Sequence, residues 1–202
     1  IELGYKKSWE KGSLYNAIYH RFADGTITRI SSTVPPSNLI YATFQNVNKS
    51  YNTGIEMVLA QEISKLYAFN ININAYRNQI NAFTVENKYP TTHTFSADKQ
   101  EIFSGNIKLN NTFHFPNNID AQLTAIYLAP DIIPQGKIKS RFSLDFGLKK
   151  AIQKGKGELF LNATDLLNTM IIKKEINGQG FNYISNDYYE TQVIRLGYSY
   201  KF

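Results

Sequence analysis

Residues 191–202 read Thr-Gln-Val-Ile-Arg-Leu-Gly-Tyr-Ser-Tyr-Lys-Phe, and this stretch decides between the possible folds. Because side chains of an extended strand point alternately to opposite faces, one face is apolar and aromatic while the other is mostly polar or small. The apolar face consists of Ile194, Leu196, Tyr198, Tyr200 and Phe202. Such a strand fits a soluble sandwich, in which a second sheet covers this face, or a membrane barrel, in which lipid covers it.

The composition of the whole chain favours an all-β protein. Its 202 residues include 14 Tyr and 13 Phe, which are strong strand formers, but only 1 Trp and 2 Met. Cysteine is absent, which excludes disulfides and thiolate sites. No apolar run approaches the roughly 18 residues of a transmembrane helix, whereas barrel strands alternate and average to near-neutral hydropathy. The composition therefore does not exclude a membrane barrel.

The positive charge of the chain is spread along its length. The net charge is +6, but Lys and Arg occur in every segment without forming a block. No nucleic-acid-binding motif accompanies them. We therefore expect no nucleic-acid partner.

Alternation recurs in two long segments upstream. In residues 66–81, one face carries Tyr67, Phe69, Ile71 and Ile73, and the other carries Asn70, Asn72 and Asn74. In residues 137–152, one face carries Phe142, Leu144, Phe146 and Leu148, and the other carries Arg141, Ser143 and Asp145. A face of three asparagines needs water or polar partners. If the apolar face meets lipid, Arg at Leu144 should block membrane assembly, while Arg at Ser143 should be tolerated.

Connections between the segments alternate in length. Short turns are expected near Trp9 and Ser64 and at residues 116–118 and 153–156, and several-fold longer connections lie between them. Residues 82–100, with Pro90 and His93, are predicted to be a long polar loop. The alternation predicts an antiparallel up-and-down meander of about nine strands, most of about 10 residues or more. Short periplasmic turns, long extracellular loops and such strand lengths are typical of outer-membrane barrels.

Three stretches carry a resemblance to a known family. They are residues 46–56 (Asn-Val-Asn-Lys-Ser-Tyr-Asn-Thr-Gly-Ile-Glu), residues 161–168 (Leu-Asn-Ala-Thr-Asp-Leu-Leu-Asn) and residues 195–202 (Arg-Leu-Gly-Tyr-Ser-Tyr-Lys-Phe). Their order and spacing resemble the C-terminal part of the barrel of TonB-dependent outer-membrane receptors. The second stretch departs from the family pattern, because Asp165 replaces the usual Asn, Leu167 the usual aromatic residue and Asn168 the usual Asp.

The resemblance implies a fold and a function. Residues 1–202 would be one partial barrel segment of a 22-stranded transmembrane barrel, located in the bacterial outer membrane, without the plug domain. The parent protein would import a bulky ligand such as a siderophore, cobalamin or a glycan. The implied partners are outer-membrane lipid, the remaining barrel and plug, the barrel-assembly machinery and TonB, which engages the N-terminal part. Tyr198, Tyr200 and Phe202 would form the C-terminal assembly signal. The edges of the segment would be open, unless it closes or pairs with another copy.

The sequence offers no convincing catalytic, metal or cofactor site. His20, His93 and His114 lie far apart without metal-ligand spacing. His114, Ser143 and Asp145 could in principle form a catalytic set, but no nucleophile elbow is present. We therefore predict that the protein is not an enzyme. A membrane-barrel hydrolase ranks below the main alternative, a soluble β-barrel or sandwich module that binds carbohydrate or lipid.

One long connection is rich in aromatic residues. It contains Phe181, Tyr183, Tyr188 and Tyr189 among asparagines. Exposed Tyr with Asn is common at recognition surfaces and could stack on sugar or ligand rings. The same residues also fit an interfacial aromatic belt.

Overall fold

The computed structural model describes residues 1–34, 39–47, 49–88 and 92–202. Asn48 and Pro90 lie outside these ranges. The described residues form seventeen strands and a short 3-10 turn, Gln153–Gly155. The strands are β1 (Glu2–Trp9), β2 (Gly12–Ala23), β3 (Thr26–Val34), β4 (Leu39–Val47), β5 (Ser50–Ser64), β6 (Tyr67–Ile80), β7 (Phe83–Asn87), β8 (His93–Ala97), β9 (Gln100–Phe115), β10 (Ile119–Leu128), β11 (Asp131–Ile133), β12 (Gly136–Ile138), β13 (Arg141–Ile152), β14 (Gly157–Thr164), β15 (Ile172–Gly178), β16 (Phe181–Asp187) and β17 (Val193–Tyr200). Across these ranges no helix is long and apolar enough to cross a membrane.

Nine of the strands form one antiparallel sheet. Their order is β1-β2-β5-β6-β9-β10-β13-β14-β17, so each strand pairs with the next one of the meander. The outermost strands, β1 and β17, each pair with a single strand of the described chain. The all-β antiparallel meander of nine strands predicted from the sequence is confirmed.

Tight turns join the sheet strands at one end, here called the turn end. They contain two to four residues between β1 and β2, β5 and β6, β9 and β10, and β13 and β14. In the β9–β10 turn, Asn117 and Asn118 have φ of 64° and 58°. Asparagine tolerates this left-handed region better than most residues. The predicted alternation of short and long connections is therefore confirmed.

The long connections leave the sheet at the opposite end, here called the hairpin end, and they are not simple loops. They fold into the hairpins β3–β4 and β7–β8 and into a second sheet of order β11-β12-β15-β16. The expectation of a polar loop over residues 82–100 was wrong. Phe83 and Phe95 face each other across β7 and β8 with ring centroids 5.9 Å apart, and both are buried.

The strand register gathers the apolar side chains on one face of the nine-stranded sheet, here called the apolar face. Leu59, Ile71, Leu109, Ala125 and Leu144 lie side by side on five neighbouring strands. Many residues of this face are open, including Ile55 at 58% exposure and Phe103 at 83%. A soluble sandwich would cover them with a second sheet. Among the described residues, the additional strands instead pack over the opposite face, which contradicts the sandwich alternative.

Aromatic residues border the apolar face at both ends. At the turn end, the Tyr67 and Phe113 rings stack 5.1 Å apart, and at the hairpin end Phe22 and Tyr51 lie 5.3 Å apart. The ten residue steps from Tyr67 to Arg77 on β6 span about 34 Å along the strand. At a tilt of roughly 40° this corresponds to about 26 Å along the membrane normal, close to the height of a barrel's apolar band. The face thus has the dimensions of a bilayer crossing.

The aromatic side chains of the C-terminal strand, β17, also lie on the apolar face. Tyr198 and Tyr200 lie on the apolar face at the turn end, because Tyr200 pairs with Gly157, next to the β13–β14 turn. The Tyr200 and Phe202 rings meet edge to face at 5.4 Å. These aromatic residues extend the interfacial border of the turn end to the last strand.

The structure argues against one expectation about the polar face, that an arginine at position 143 is tolerated. Ser143 points to the predicted face, but it is only 4% exposed and its hydroxyl donates a hydrogen bond to Asp145 at 3.0 Å. An arginine at position 143 would have to displace these packed neighbours. Alternation specifies which face a side chain points to, but not whether that face has room for a larger side chain.

Candidate functional site

The polar face of the nine-stranded sheet is lined by amides and hydroxyls. Asn70, Asn72 and Asn74 of β6 lie opposite Asn110, Lys108 and Asn106 of β9. The Tyr19 hydroxyl donates to Asn74 at 2.9 Å, and the Thr124 hydroxyl donates to Asn110 at 3.0 Å. The partners required by the predicted asparagine face are thus partly supplied by neighbouring strands. This face suits water or a polar ligand.

A row of ionisable residues crosses the polar face near the turn end. His114 lies 2.7 Å from Asp120, and Lys149 lies 3.5 Å from Asp120 and 3.9 Å from Glu158. The four residues come from four neighbouring strands and line a depression of about 440 Å³. Because all four side chains are substantially exposed, each pair contributes at most about 1 kcal/mol to the stability of the fold. Their main effect is to place ionisable groups next to one another on this surface.

The possible catalytic set is not assembled. His114 contacts Asp120, whereas Ser143 donates to Asp145 on β13. His20 forms a 2.7 Å hydrogen bond with Thr53, and His93 contacts Asn87. Within the described ranges, no group of three His, Cys, Asp or Glu residues is arranged to hold a metal ion.

The hairpins at the hairpin end form one interlocked unit, here called the cap: β3–β4, β7–β8 and the sheet β11-β12-β15-β16. Its hydrophobic core consists of Ile30, Ile80, Phe83, Phe95 and Ile132. Ile30 comes from β3, Ile80 from the end of β6, the two Phe from β7 and β8, and Ile132 from β11. Residues from distant parts of the chain are therefore packed together above the polar face.

Asp131 anchors the cap to the polar face. Its carboxylate accepts hydrogen bonds from the Tyr76 hydroxyl and the Asn78 amide of β6, both at 2.8 Å. The backbone N–H of Ile132 donates to it as well, at 2.8 Å. Because Tyr76 and Asn78 lie on the polar face, β11 lies against this face of the sheet.

Gln135 locks the tip of the β11–β12 hairpin onto β3. Its side-chain oxygen accepts from the Ser31 backbone N–H at 2.7 Å, and its side-chain nitrogen donates to the Ser31 carbonyl at 2.8 Å. Both residues are buried. The Gln135 side chain therefore continues the hydrogen bonding of β3 in the manner of a neighbouring strand.

Asn87 connects the other two hairpins. It is 1% exposed, and its side-chain oxygen accepts from Gln45 at 2.6 Å and from Thr43 at 3.2 Å, both on β4. Its amide nitrogen lies 3.1 Å from the His93 ring on β8. One buried amide thus joins β4 to the β7–β8 hairpin.

We expect Gln135→Ala to loosen the cap. The change leaves the buried N–H and carbonyl of Ser31 without their partner, which should cost about 2 to 4 kcal/mol of local stability. Hydrogen exchange of the Ser31 amide should accelerate by a factor of about 30 or more. Gln192→Ala removes an exposed amide that donates to the Leu166 carbonyl at 3.1 Å, and it should leave this exchange rate unchanged. Equal protection of Ser31 in wild type and Gln135→Ala would contradict the locking role.

Asp165 fixes the chain where β14 leaves the sheet. It is 2% exposed and accepts hydrogen bonds from the Thr191 hydroxyl at 2.7 Å and from the N–H groups of Thr169 and Met170 at 3.0 and 3.1 Å. Its own N–H donates to Asp145 at 2.8 Å. Burial alone would raise the pKa of Asp165, but these hydrogen bonds outweigh burial and hold the pKa below its usual range.

The four predicted ligand-contact aromatics lie in two separate places. Phe181 and Tyr183 stack at 6.0 Å near the tip of β16, where the Phe181 ring covers Gly178. Tyr188 and Tyr189 follow the other end of β16 and are 50% and 63% exposed. The six steps of β16 separate the pairs by about 20 Å. The first pair is therefore distal to the main sheet, and the second lies close to the border of that sheet.

An ion pair rigidifies the strand that carries these aromatics. The Asp187 carboxylate accepts one hydrogen bond from the Lys174 ammonium and one from the Ser185 hydroxyl, both at 2.7 Å. The hydrogen bond from Lys174, and after it in size the hydrogen bond from Ser185, holds the pKa of Asp187 below its usual range. β16 thus stays paired with β15 up to the residue before Tyr188.

Sequence patterns missed the residues that build the cap. Asp131 and Gln135 lie in one of the longer connections, for which no strands were predicted, and Asn87 lies in the expected polar loop. The turn-forming Pro134 and Gly136 on either side of Gln135 were the one local signal for a hairpin there. Asp165 lies within the stretch at residues 161–168, although its sequence gives no sign of its hydrogen bonds.

Neither the curated proteins nor the solved structures contain a significant match to this chain. A family model described as "Outer membrane protein beta-barrel family" matches residues 1–200. The match covers all nine strands of the main sheet and the whole described cap.

Proposed function

Because this chain belongs to the outer membrane protein β-barrel family and is located in the bacterial outer membrane, we propose that it forms the C-terminal barrel segment of a TonB-dependent transporter. The complete barrel has 22 strands and a plug in its lumen. It imports a bulky ligand, which is a siderophore, cobalamin or a glycan, with energy that TonB relays through the N-terminal part. It is a transporter and not an enzyme.

The position of the cap is the observation that carries this proposal. The cap lies over the polar face at the hairpin end, which is the extracellular end when short turns are periplasmic. It is held there by Asp131 and Gln135 through side-chain hydrogen bonds. A ligand that arrives from outside meets the cap before it reaches the amide-lined polar face. This order of surfaces is what a gated uptake path requires.

The free edges of the main sheet support a larger barrel. β1 and β17 each have one partner among the described strands, and nine strands are an odd number, whereas single-chain bacterial barrels have an even number. An unpaired strand edge in hydrocarbon costs several kcal/mol for each unsatisfied backbone group. Further strands at these edges would remove this cost. Tyr198, Tyr200 and Phe202 present the C-terminal assembly signal beside one of them.

The distal aromatic pair is the proposed ligand-contact surface. Phe181 and Tyr183 are stacked side by side on β16, which suits ring stacking on a glycan or on another ligand ring. Tyr188 and Tyr189, near the border of the sheet, fit the interfacial belt instead.

Uptake measurements test this function. Cells that produce the protein should accumulate ferric siderophore, cobalamin or an oligosaccharide, and deletion of TonB should abolish the uptake. Tyr183→Ala should weaken binding of the imported ligand about three- to ten-fold, whereas Tyr189→Ala should leave it unchanged. Uptake that persists without TonB would refute the transport mechanism. Equal losses in the two tyrosine variants would refute the assignment of the distal pair.

A further inference from the structure

A groove runs along the apolar face near the hairpin end, between β1, β2, β5, β6 and β9. It has a volume of about 620 Å³, within the usual range of ligand pockets, about 300–1,000 Å³. Its floor includes Gly54 and Ala75, which have little or no side chain. Leu3, Ile55 and Phe103 stand at its sides, and Phe103 is 83% exposed. The groove is therefore an apolar channel on the surface that faces lipid.

A polar hollow continues this groove toward the extracellular end. It measures about 210 Å³ and is lined by His20, Tyr51, Thr53, Arg77 and Gln79. His20, Thr53 and Arg77 line both spaces. An apolar channel that opens into a small polar hollow has the shape and polarity of a site for a lipid acyl chain and its headgroup.

The residues of the hollow are held in place by one another. The His20 ring contacts the Thr53 hydroxyl at 2.7 Å and stacks on Tyr51 with ring centroids 5.9 Å apart. Arg77 pairs with Glu101 on the neighbouring strand, and Lys99 lies 3.2 Å from the same carboxylate. These contacts fix the positions of the side chains that line the hollow.

The charge at the hollow favours an anion. Two cations, Arg77 and Lys99, share the single carboxylate of Glu101, so one positive charge is left over. The Arg77 guanidinium has five N–H donors, and it uses one nitrogen for Glu101. The remaining donors can bind a phosphate, for which the fork geometry of arginine is well suited.

We propose that this site binds a phosphate-bearing lipid of the outer leaflet, with one acyl chain in the groove and the headgroup phosphate at Arg77. Lys99 adds a second positive charge, and His20 and Thr53 contribute polar contacts. The lipid would bridge β2, β5, β6 and β9 on the lipid side, below the point where their connections enter the cap. This role does not depend on which ligand the protein transports.

Lipid binding to the purified protein tests this site. The protein in dodecylmaltoside micelles is titrated with diphosphorylated lipid A and with its dephosphorylated form, and bound lipid is counted by native mass spectrometry. The phosphorylated form should bind at least ten-fold more tightly. Arg77→Gln should abolish most of this preference, and inorganic phosphate at the same concentration should not compete. Equal binding of the two lipids, or displacement by inorganic phosphate, would overturn the proposal.

Two further variants separate this site from general attraction to lipid. Lys150→Gln removes a cation of the apolar face at the turn end of β13 and should leave lipid A binding unchanged. Ala75→Leu fills the floor of the groove with an apolar side chain and should weaken binding several-fold without changing the charge. If Lys150→Gln weakens binding as much as Arg77→Gln, or if Ala75→Leu has no effect, the site is wrong. A photo-crosslinker at position 103 that captures a second protein in cell membranes, and no lipid, would also overturn it.

Discussion

Leu123→Arg should prevent the protein from assembling in the outer membrane. Leu123 lies on the apolar face in the middle of β10, opposite Phe146 of β13 and Asn111 of β9. A charged side chain on the lipid-facing side of a barrel costs about 2 to 4 kcal/mol at the bilayer midplane and less toward the interfaces. The measurement is the amount of protein that is recovered in outer-membrane fractions and resists extraction by urea.

Gln122→Arg is the matched control for this prediction. Gln122 is the preceding residue on the same strand, is exposed, and faces the polar side opposite Gly147. An arginine there meets water and has space, in contrast to position 143, where Ser143 is buried. Equal assembly of Leu123→Arg and Gln122→Arg would show that the apolar face is not in contact with hydrocarbon.

Asp165→Ala should detach the connection between β14 and β15. The alanine leaves the Thr191 hydroxyl and the N–H groups of Thr169 and Met170 without an acceptor. Since hydrogen bonds to a charged group contribute about 1.5 to 3 kcal/mol each and are not additive, we expect a loss of about 3 to 5 kcal/mol of local stability. Protease sensitivity of residues 165–171 in intact membranes should rise sharply. Residue 165 also has φ of 46°, which alanine tolerates poorly.

Asp165→Asn and the pH dependence distinguish the role of the charge. Asparagine tolerates the backbone conformation and keeps one acceptor oxygen, so the loss should be smaller than for alanine. The pKa of Asp165 is lower in the folded state than in the unfolded state, so its contribution is complete above the unfolded value of about 4. It is lost as the pH falls through the folded pKa. Acid should therefore sensitise the wild type to protease below about pH 4 and affect Asp165→Ala less. An identical acid response in both would contradict this role.

The sequence predicts the main sheet because local rules suffice there. Period-two alternation assigns Ile71 and Asn72 to opposite faces without knowledge of any partner strand. Turn chemistry at Asn117 and Asn118 marks where the chain reverses. Crowding depends on partners from other strands, however, so the burial of Ser143 could not be foreseen.

The cap could not be predicted because its contacts are distant in sequence. Gln135 meets Ser31 across 104 positions, and neither residue belongs to a local pattern. β7 and β8 have five residues each, which is too short for their alternation to stand out from a polar connection. The aromatic residues of the candidate ligand surface were found by composition, but only the course of β16 separates Phe181 and Tyr183 from Tyr188 and Tyr189.

The hydrophobic cluster around Ile30 and Phe95 lies in the cap, so the cap and the main sheet should unfold under different conditions. The sheet is stabilised by the hydrocarbon that surrounds it, whereas the cap is stabilised by its own interior, outside the bilayer. A change of solvent at the cell surface can therefore melt the cap while the strands stay inserted, and extraction from the membrane acts first on the strands. One melting temperature cannot describe this protein, because its two halves respond to different surroundings.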